Sequence, residues 1–194
     1  MQTFSEKDLC SVLEGRKREI VGRVTGNESE ADIERLVKDF TIEPIVFDES
    51  GLTMSDREEM IPAERFPNGF WVDPGKRYPK TVVRFHVPFS GERELFRCKP
   101  STFIMRTEEV SIDNNELSFD VINWSNDAAQ VKSAMESVMK YLREQNGHVT
   151  DEVKKFNDGL KAHVTAAVAA AKDKKGKNDD FMSSLGVPRR PHRN

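Results

Sequence analysis

The stretch TVVRFHVPF at residues 81–89 decides the fold class, because apolar and polar side chains alternate along it. Successive side chains of a β-strand point to opposite faces, so this pattern predicts a half-buried strand. Its predicted apolar face consists of Val83, Phe85, Val87 and Phe89. Arg84 and His86 lie on the opposite, polar face.

The segments after this strand predict an antiparallel sheet. Ser90–Gly91 is suited to a tight turn, and the alternation resumes over Glu94–Lys99, so we expect a β-hairpin here. Three later segments alternate in the same way and predict further strands: residues 102–107, 110–112 and 117–121. Nine of the 12 phenylalanines lie between Phe40 and Phe119, which indicates that the aromatic core belongs to the sheet. We expect that core to include Val83, Phe85, Val87, Phe96 and Phe119.

The segment before the strand is less regular. Residues 42–47 predict a short strand at a sheet edge, because Pro44 cannot donate a hydrogen bond to a central ladder. Residues 48–80 contain four prolines and predict irregular structure. Within them, Phe70–Val72 predicts a very short strand between two Pro/Gly turns.

Helical periodicity flanks the predicted sheet on both sides. Residues 5–40 predict an N-terminal pair of helices, and Ser29 with Asp32 is a capping signal for the second. Residues 126–176 carry two apolar stripes separated by Asn146–Gly147. The first stripe is Val131, Met135, Val138 and Leu142, and the second is Phe156, Leu160, Val164 and Ala167. Because a short connection favours antiparallel neighbours, we expect a C-terminal antiparallel helical pair.

The order of helices, strands and helices predicts an α+β fold with an antiparallel sheet of five to seven strands. We expect one domain over residues 1–177, with helices at 5–40, the sheet at 41–122 and helices at 126–176. Residues 178–194 predict a short helical turn followed by a basic disordered tail.

The composition argues against membrane-spanning, secreted and disulfide-rich proteins. The 194 residues are 32% charged, with a formal net charge of -3 and a mean hydropathy of -0.63, and no apolar run reaches the length of a membrane span. The first ten residues lack the pattern of a signal peptide. Only Cys10 and Cys98 are present, too few for a disulfide framework or a thiolate zinc site. These features predict a cytoplasmic protein with no membrane partner.

No motif identifies a reaction. The sequence has no G-x-S-x-G nucleophile elbow, no phosphate-binding glycine loop and no histidine pair at metal-ligand spacing. We therefore name no catalytic residue, no metal ligand and no cofactor. The sequence favours a protein without enzymatic activity but does not decide the question. Of the four histidines, only His86 draws attention, because it shares a predicted strand face with Arg84.

A cluster of cations is the one predicted site. The candidate residues for binding an anion or a nucleic acid are Lys80, Arg84, His86, Arg97, Lys99 and Arg106. A basic sheet face flanked by aromatic side chains is typical of proteins that bind nucleic acids or nucleotides. The same pattern also suits the solvated side of a half-buried antiparallel sheet, with its cations paired to acids. Both interpretations are open at this point.

Three segments resemble a known family. Val87–Ser101 reads V-P-F-S-G-E-x-E-L-F-x-x-x-P-S, Phe156–Leu160 reads F-N-x-x-L, and Leu185–Arg190 reads L-G-V-P-R-R. Together they resemble a largely uncharacterised bacterial domain that lies upstream of effector domains in defence-type proteins. The resemblance covers about residues 75–190. It implies a bacterial, defence-associated protein, and it transfers no active site.

Three functions follow as expectations. The leading one is a non-enzymatic interaction or sensing module of the bacterial cytoplasm that acts with a partner protein. The alternative is a nucleic-acid or nucleotide binder that uses the basic sheet face. The third is an enzyme whose chemistry the sequence does not reveal.

Overall fold

A computed structural model describes residues 1–187. It has three α-helices, a five-stranded antiparallel sheet and a two-stranded parallel sheet, so the predicted α+β class is confirmed. No helix among the described residues is long and apolar enough to cross a membrane. The predicted disordered tail lies outside the described residues from Pro188 onward, whereas residues 178–184 belong to the last helix.

The chain divides into two compact units. The first consists of Met1–Leu9 and Glu43–Glu152, and the second of Cys10–Ile42 and Val153–Asn194. The first unit contains all seven strands. The single domain over residues 1–177 stays a prediction.

The N-terminal helical pair is confirmed. Helix α1 covers Leu9–Arg23 and helix α2 covers Glu30–Phe40. Ser29 caps α2: its hydroxyl accepts a hydrogen bond from the Asp32 amide, and the Asp32 carboxylate accepts one from the Ser29 amide. This reciprocal capping box satisfies two amides that a helix start leaves without partners.

The large sheet is built around one long strand. The strands are β1 (Lys7–Asp8), β2 (Val46–Phe47), β3 (Thr53–Pro62), β4 (Arg77–Ser90), β5 (Cys98–Lys99), β6 (Ser111–Asp113) and β7 (Glu116–Ile122). One edge of β4 pairs with β2 and β3, and the other edge pairs with β7, which also pairs with β6. Strands β1 and β5 form the small parallel sheet.

The apolar face of β4 lies in the core of the first unit. Phe85, Val87 and Phe89 are buried, and Phe85 lies opposite Phe119 of β7 with their ring centroids 5.6 Å apart. Phe96 is also buried, so four of the five predicted core residues are confirmed. The fifth, Val83, is only half-buried.

The irregular structure predicted for residues 48–80 is wrong over Thr53–Pro62, which is the ten-residue strand β3, and over the last four residues, which already belong to β4. Most of its residues are exposed on both faces of the sheet, so the segment lacks the alternation that identifies a half-buried strand. The strand predicted at Phe70–Val72 does not form, and neither does the strand predicted at residues 102–107.

The predicted hairpin between residues 81–89 and 94–99 is also wrong. Residues Arg93–Arg97 form a 3-10 helix, and β5 pairs with β1 in parallel. Leu95 and Phe96 are both buried, which strand alternation on one core face does not allow. The chain leaves β4 at Gly91, which has a φ of 99°. A Cβ atom there would clash with the carbonyl oxygen of Pro44, so this position requires glycine.

The prediction of a C-terminal antiparallel helical pair is wrong as well. Helix α3 is continuous over Ala128–Ser184, a length of 57 residues, and passes through Gly147 and Gly176. Its buried residues keep a spacing of three or four across Gly147: Val138, Leu142, Gln145, Val149, Val153 and Phe156. This unbroken stripe outweighs the modest helical penalty of one glycine, which is about 1 kcal/mol.

The second unit packs α1 and α2 with the later part of α3. Its buried residues include Leu13, Ile20, Ile33, Phe40, Phe156, Leu160 and Val164. Asn157 fixes the end of the α2 segment, because its amide nitrogen donates to the Ile42 carbonyl at 2.8 Å and its amide oxygen accepts from the Ile42 amide at 3.1 Å.

Replacing the buried ring of Phe85 tests the predicted strand orientation. Phe85→Ala should lower the free energy of unfolding by about 3–5 kcal/mol, because it leaves a cavity beside Phe119. Chemical denaturation measures this loss. The matched aromatic control is Trp71→Ala, whose side chain is fully exposed and whose effect should stay within about 0.5 kcal/mol. Equal effects of the two substitutions would contradict the assignment of the core.

Gly147→Ala separates one continuous helix from two helices joined by a turn. In the continuous helix, a Cβ atom at residue 147 meets no atom within 4 Å, so alanine should stabilise the protein by about 0.5–1 kcal/mol. In an interhelix turn with a left-handed glycine, the same change would destabilise it. Thermal and chemical unfolding give the sign directly.

Candidate functional site

The polar face of β4 carries the candidate site together with the facing residues of β3 and β7. In the antiparallel register, Arg84 lies directly between Ser55 and Asp120, and His86 lies between Thr53 and Ser118. Residues opposite each other in an antiparallel sheet share a face and have Cβ atoms about 4.5–5.5 Å apart. The register therefore concentrates ionisable and hydroxyl side chains in one patch.

Two arginines hold Asp120 in this patch. Arg84 donates through Nε and Nη2 to the two carboxylate oxygens at 2.7 and 3.0 Å, and Arg57 donates through Nη1 and Nη2 at 3.3 and 2.8 Å. Hydrogen bonds from Arg84, followed by those from Arg57, hold the pKa of Asp120 well below its ordinary value of 3.8. The same bonds to Asp120 raise the pKa of both guanidinium groups. The cluster thus ties β3, β4 and β7 together.

Beside it, His86 joins two other side chains across the same three strands. Its Nδ1 lies 2.7 Å from Oε1 of Glu116 on β7, and its Nε2 lies 2.9 Å from Oγ of Ser55 on β3. Ser55 is exposed and His86 is partly accessible, so both can meet a molecule from solution. A serine hydroxyl, an imidazole and a carboxylate therefore form one continuous hydrogen-bonded relay.

A groove of about 560 Å³ adjoins this patch. Arg57, Arg84, Ser118 and Asp120 line it on the polar side. The apolar part of its wall comes from Ile61, Val82, Val110 and Ile122. Arg65 also lines the groove. The groove can hold a small molecule of mixed polarity beside the arginine cluster, and its lining does not include Ser55, His86 or Glu116.

The structure disperses the predicted cation cluster. Lys80, Arg84 and His86 lie on β4, whereas Arg97 ends the 3-10 helix, Lys99 lies in β5, and Arg106 lies in a loop without regular structure. The hairpin that would bring Arg97 and Lys99 beside Arg84 does not form. The predicted basic face is therefore not one surface of one sheet.

Each of the six candidates also has a partner within the first unit. Lys80 donates to the Trp124 carbonyl at 2.6 Å, and Arg97 pairs with Glu6 at 3.2 Å. Lys99 lies over the Phe103 ring with its Nζ 3.6 Å from the centroid, and Arg106 pairs with Glu108. Arg84 binds Asp120 and His86 contacts Glu116, so every residue of the predicted cluster has a partner of its own.

Within residues 1–187, no group of three or more His, Cys, Asp or Glu side chains is arranged to hold a metal ion. Comparisons with family models, with characterised proteins and with solved structures found no match to this chain. The properties of the site thus rest on its own geometry.

Sequence reasoning missed Ser55, Arg57, Glu116 and Asp120. The sequence of β7 did contain a signal for its two residues, because Glu116 and Asp120 alternate with the buried Leu117 and Phe119. The sequence of β3 contained no such signal, because a strand that is exposed on both faces has no alternation of apolar and polar residues. The missing information was the pairing of β4 with β3 and β7.

Asp120→Asn tests the arginine cluster through pH. Because folding lowers the pKa of Asp120, its ionised form stabilises the protein above the ordinary pKa of 3.8, and this contribution is lost as the pH falls below that value. Near neutral pH, the variant should be about 1–2 kcal/mol less stable than the natural chain. This difference should hold down to about pH 5 and then shrink in more acidic solution.

Unfolding curves collected from pH 7 to pH 2 measure that difference. The control is Asp113→Asn on β6, since Asp113 is exposed and lies opposite Glu116, rather than an arginine, in the sheet register. A difference for Asp120→Asn that is independent of pH would contradict the lowered pKa.

Proposed function

We propose that the protein is an interaction module that acts with a partner protein in the bacterial cytoplasm, and that the partner docks on the outer edge of β3. The observation that carries this proposal is a ten-residue edge strand whose outer backbone groups have no backbone partner among the described residues. Alternate N–H and C=O groups of an edge strand point outward and can pair with another extended chain. The resemblance to a domain upstream of bacterial effector domains points the same way.

The charge of this edge indicates the kind of segment that fits it. Asp56 and Glu58 are exposed on the same face of β3, whereas Glu59 on the other face pairs with Arg57. Met54 and Met60 flank them, with exposed fractions of 72% and 49%. We therefore expect an extended partner segment with Lys or Arg at alternate central positions and apolar residues on either side.

The loop that follows β3 adds an aromatic anchor. Trp71 is fully exposed, at 101% of its reference area, and Phe70 beside it is 37% exposed. Trp is enriched among the residues that dominate binding energy at protein interfaces. An exposed Trp in the loop that follows β3 therefore supports a docking role.

This loop is held in place rather than free. The Phe66 ring packs against Tyr78 and Trp124 with centroids 5.5 and 5.0 Å apart. The amide of Gly75 donates to Glu64 at 2.9 Å, which closes the loop. A fixed loop loses less conformational entropy on binding than a mobile one.

The charges of β3 also bear on pairing between two copies. An antiparallel pair centred on Arg57 would place Arg57 against Arg57 and Asp56 against Glu58 of the other copy, and like charges directly opposite each other destabilise a sheet. A pair centred on Glu58 would place Glu58 against itself but Arg57 against Glu59 of the other copy. The mass of the crosslinked adduct distinguishes a second copy from a different chain.

The nucleic-acid alternative stays a prediction. Its sequence argument was a shared basic face, and the structure distributes those cations over β4, the 3-10 helix, β5 and a loop. The salt dependence of binding to mixed nucleic acids tests it, because each phosphate that a protein neutralises releases counterions.

Photo-crosslinking tests the docking proposal. A benzoylphenylalanine residue is placed at Met54 or at Trp71 of the full chain in the cells that naturally produce it. We expect an adduct of one discrete mass that protease digests and nuclease leaves intact. The double substitution Asp56→Lys with Glu58→Lys should reduce the adduct at least about tenfold, because like charges then face the partner's cations.

The matched control places the same crosslinker at Val21 of α1, which is 55% exposed. An adduct of the same mass from Val21, or no adduct from either test position, would contradict docking at this edge. An adduct that nuclease removes would favour the nucleic-acid alternative. Unfolding curves check that the double variant keeps its fold, since both substituted side chains are exposed.

A further inference from the structure

The relay of Ser55, His86 and Glu116 has the chemistry of an activated nucleophile. A carboxylate only accepts hydrogen bonds, so Oε1 of Glu116 at 2.7 Å favours the imidazole tautomer with its proton on Nδ1. Nε2 of the neutral ring then carries a lone pair and accepts the Ser55 hydroxyl hydrogen at 2.9 Å. A hydroxyl bonded to a base, and a base oriented by a third group, are the features that activate serine.

Arg84 is the cation that the strand register places beside Ser55. Arg84 lies directly opposite Ser55 in the β3–β4 register. Arg84 uses Nε and Nη2 to bind Asp120, which leaves its Nη1 to donate to a developing oxyanion. Because Asp120 and the strand pairing fix this guanidinium, it needs little reorganisation during the reaction.

We propose that Ser55 is the nucleophile of an acyl-transfer site with His86 as its general base, and that the substrates are carboxylic esters. The inference goes beyond docking on the β3 edge, which requires no reaction. It gives a definite site to the enzyme that the sequence left open as a third function.

The reaction balances with water as the only co-reactant. Oγ of Ser55 bonds to the ester carbonyl carbon while its proton passes to Nε2 of His86, and Arg84 stabilises the oxyanion. The bond to the alcohol oxygen then breaks, and Nε2–H protonates the departing alkoxide. Water attacks the acyl-serine, gives its proton to Nε2, and releases the carboxylic acid as the proton returns to Oγ. Glu116 is a positioning residue that keeps the imidazole in the required tautomer.

A fluorophosphonate probe tests the nucleophile on the full chain. We expect one phosphonylated residue, and peptide mass mapping should place it at Ser55. Ser55→Ala should abolish the label, and His86→Gln should slow labelling at least about 100-fold, because general-base catalysis contributes on that scale. The control Ser90→Ala removes another exposed serine at the end of β4 and should label like the natural chain.

Two measurements separate the proposal from a structural role of the same residues. Unfolding curves verify that each variant is folded, and ¹⁵N shifts of the His86 ring report its tautomer, which Glu116→Gln should change. The assignment would be overturned by the absence of any label, by a label on another residue, or by labelling of Ser55 at an unchanged rate in a folded His86→Gln variant.

Hydrolysis of p-nitrophenyl acetate gives a second readout. An initial burst of product that is lost in Ser55→Ala would support the assignment. Adducts at the β3 edge are scored independently, so either proposal can fail alone.

Discussion

The pairing of β4 on both of its edges is the interaction on which the first unit depends. Its register against β3 and β7 decides which side chains of these neighbouring strands point into the core. A slip of one residue would turn Phe85 and Phe119 out to solvent and bury Arg84 with Asp120. The cost of exposing aromatic rings and of burying charges opposes such a slip from both sides of the sheet.

The same register builds the chemistry of the opposite face. Arg84 can bind Asp120 through two nitrogens because these residues are direct partners across β4 and β7. His86 reaches Ser55 and Glu116 because both lie on the same face as its own side chain, one on each neighbouring strand. A charged cluster that holds three strands and a relay that can move a proton therefore arise from one alignment. Within residues 1–187, the outer edge of β3 is the part of the sheet that this alignment leaves without a backbone partner.

Local patterns predicted the elements that bury one face, and they failed where the deciding contact lies far away in sequence. The alternation over residues 81–89 and 117–121 identified β4 and β7, and the Ser29–Asp32 cap identified α2. Strand β3 was missed because it exposes both faces, and Asn146–Gly147 suggested a break where the buried stripe of α3 continues. The predicted site contained Arg84 and His86, yet their real partners depend on strand pairing across 30 to 36 positions, which no short motif records.

The account therefore depends on whether β4 lies between β3 and β7 in the stated register. Cross-strand nuclear Overhauser effects between backbone protons measure this directly in the full chain. The structure predicts contacts of Arg84 with Ser55 on one side and with Asp120 on the other. Contacts of Arg84 with residues of Glu94–Lys99 instead would restore the hairpin expected from local sequence, and they would remove the arginine cluster, the Ser55–His86–Glu116 relay and the free β3 edge together.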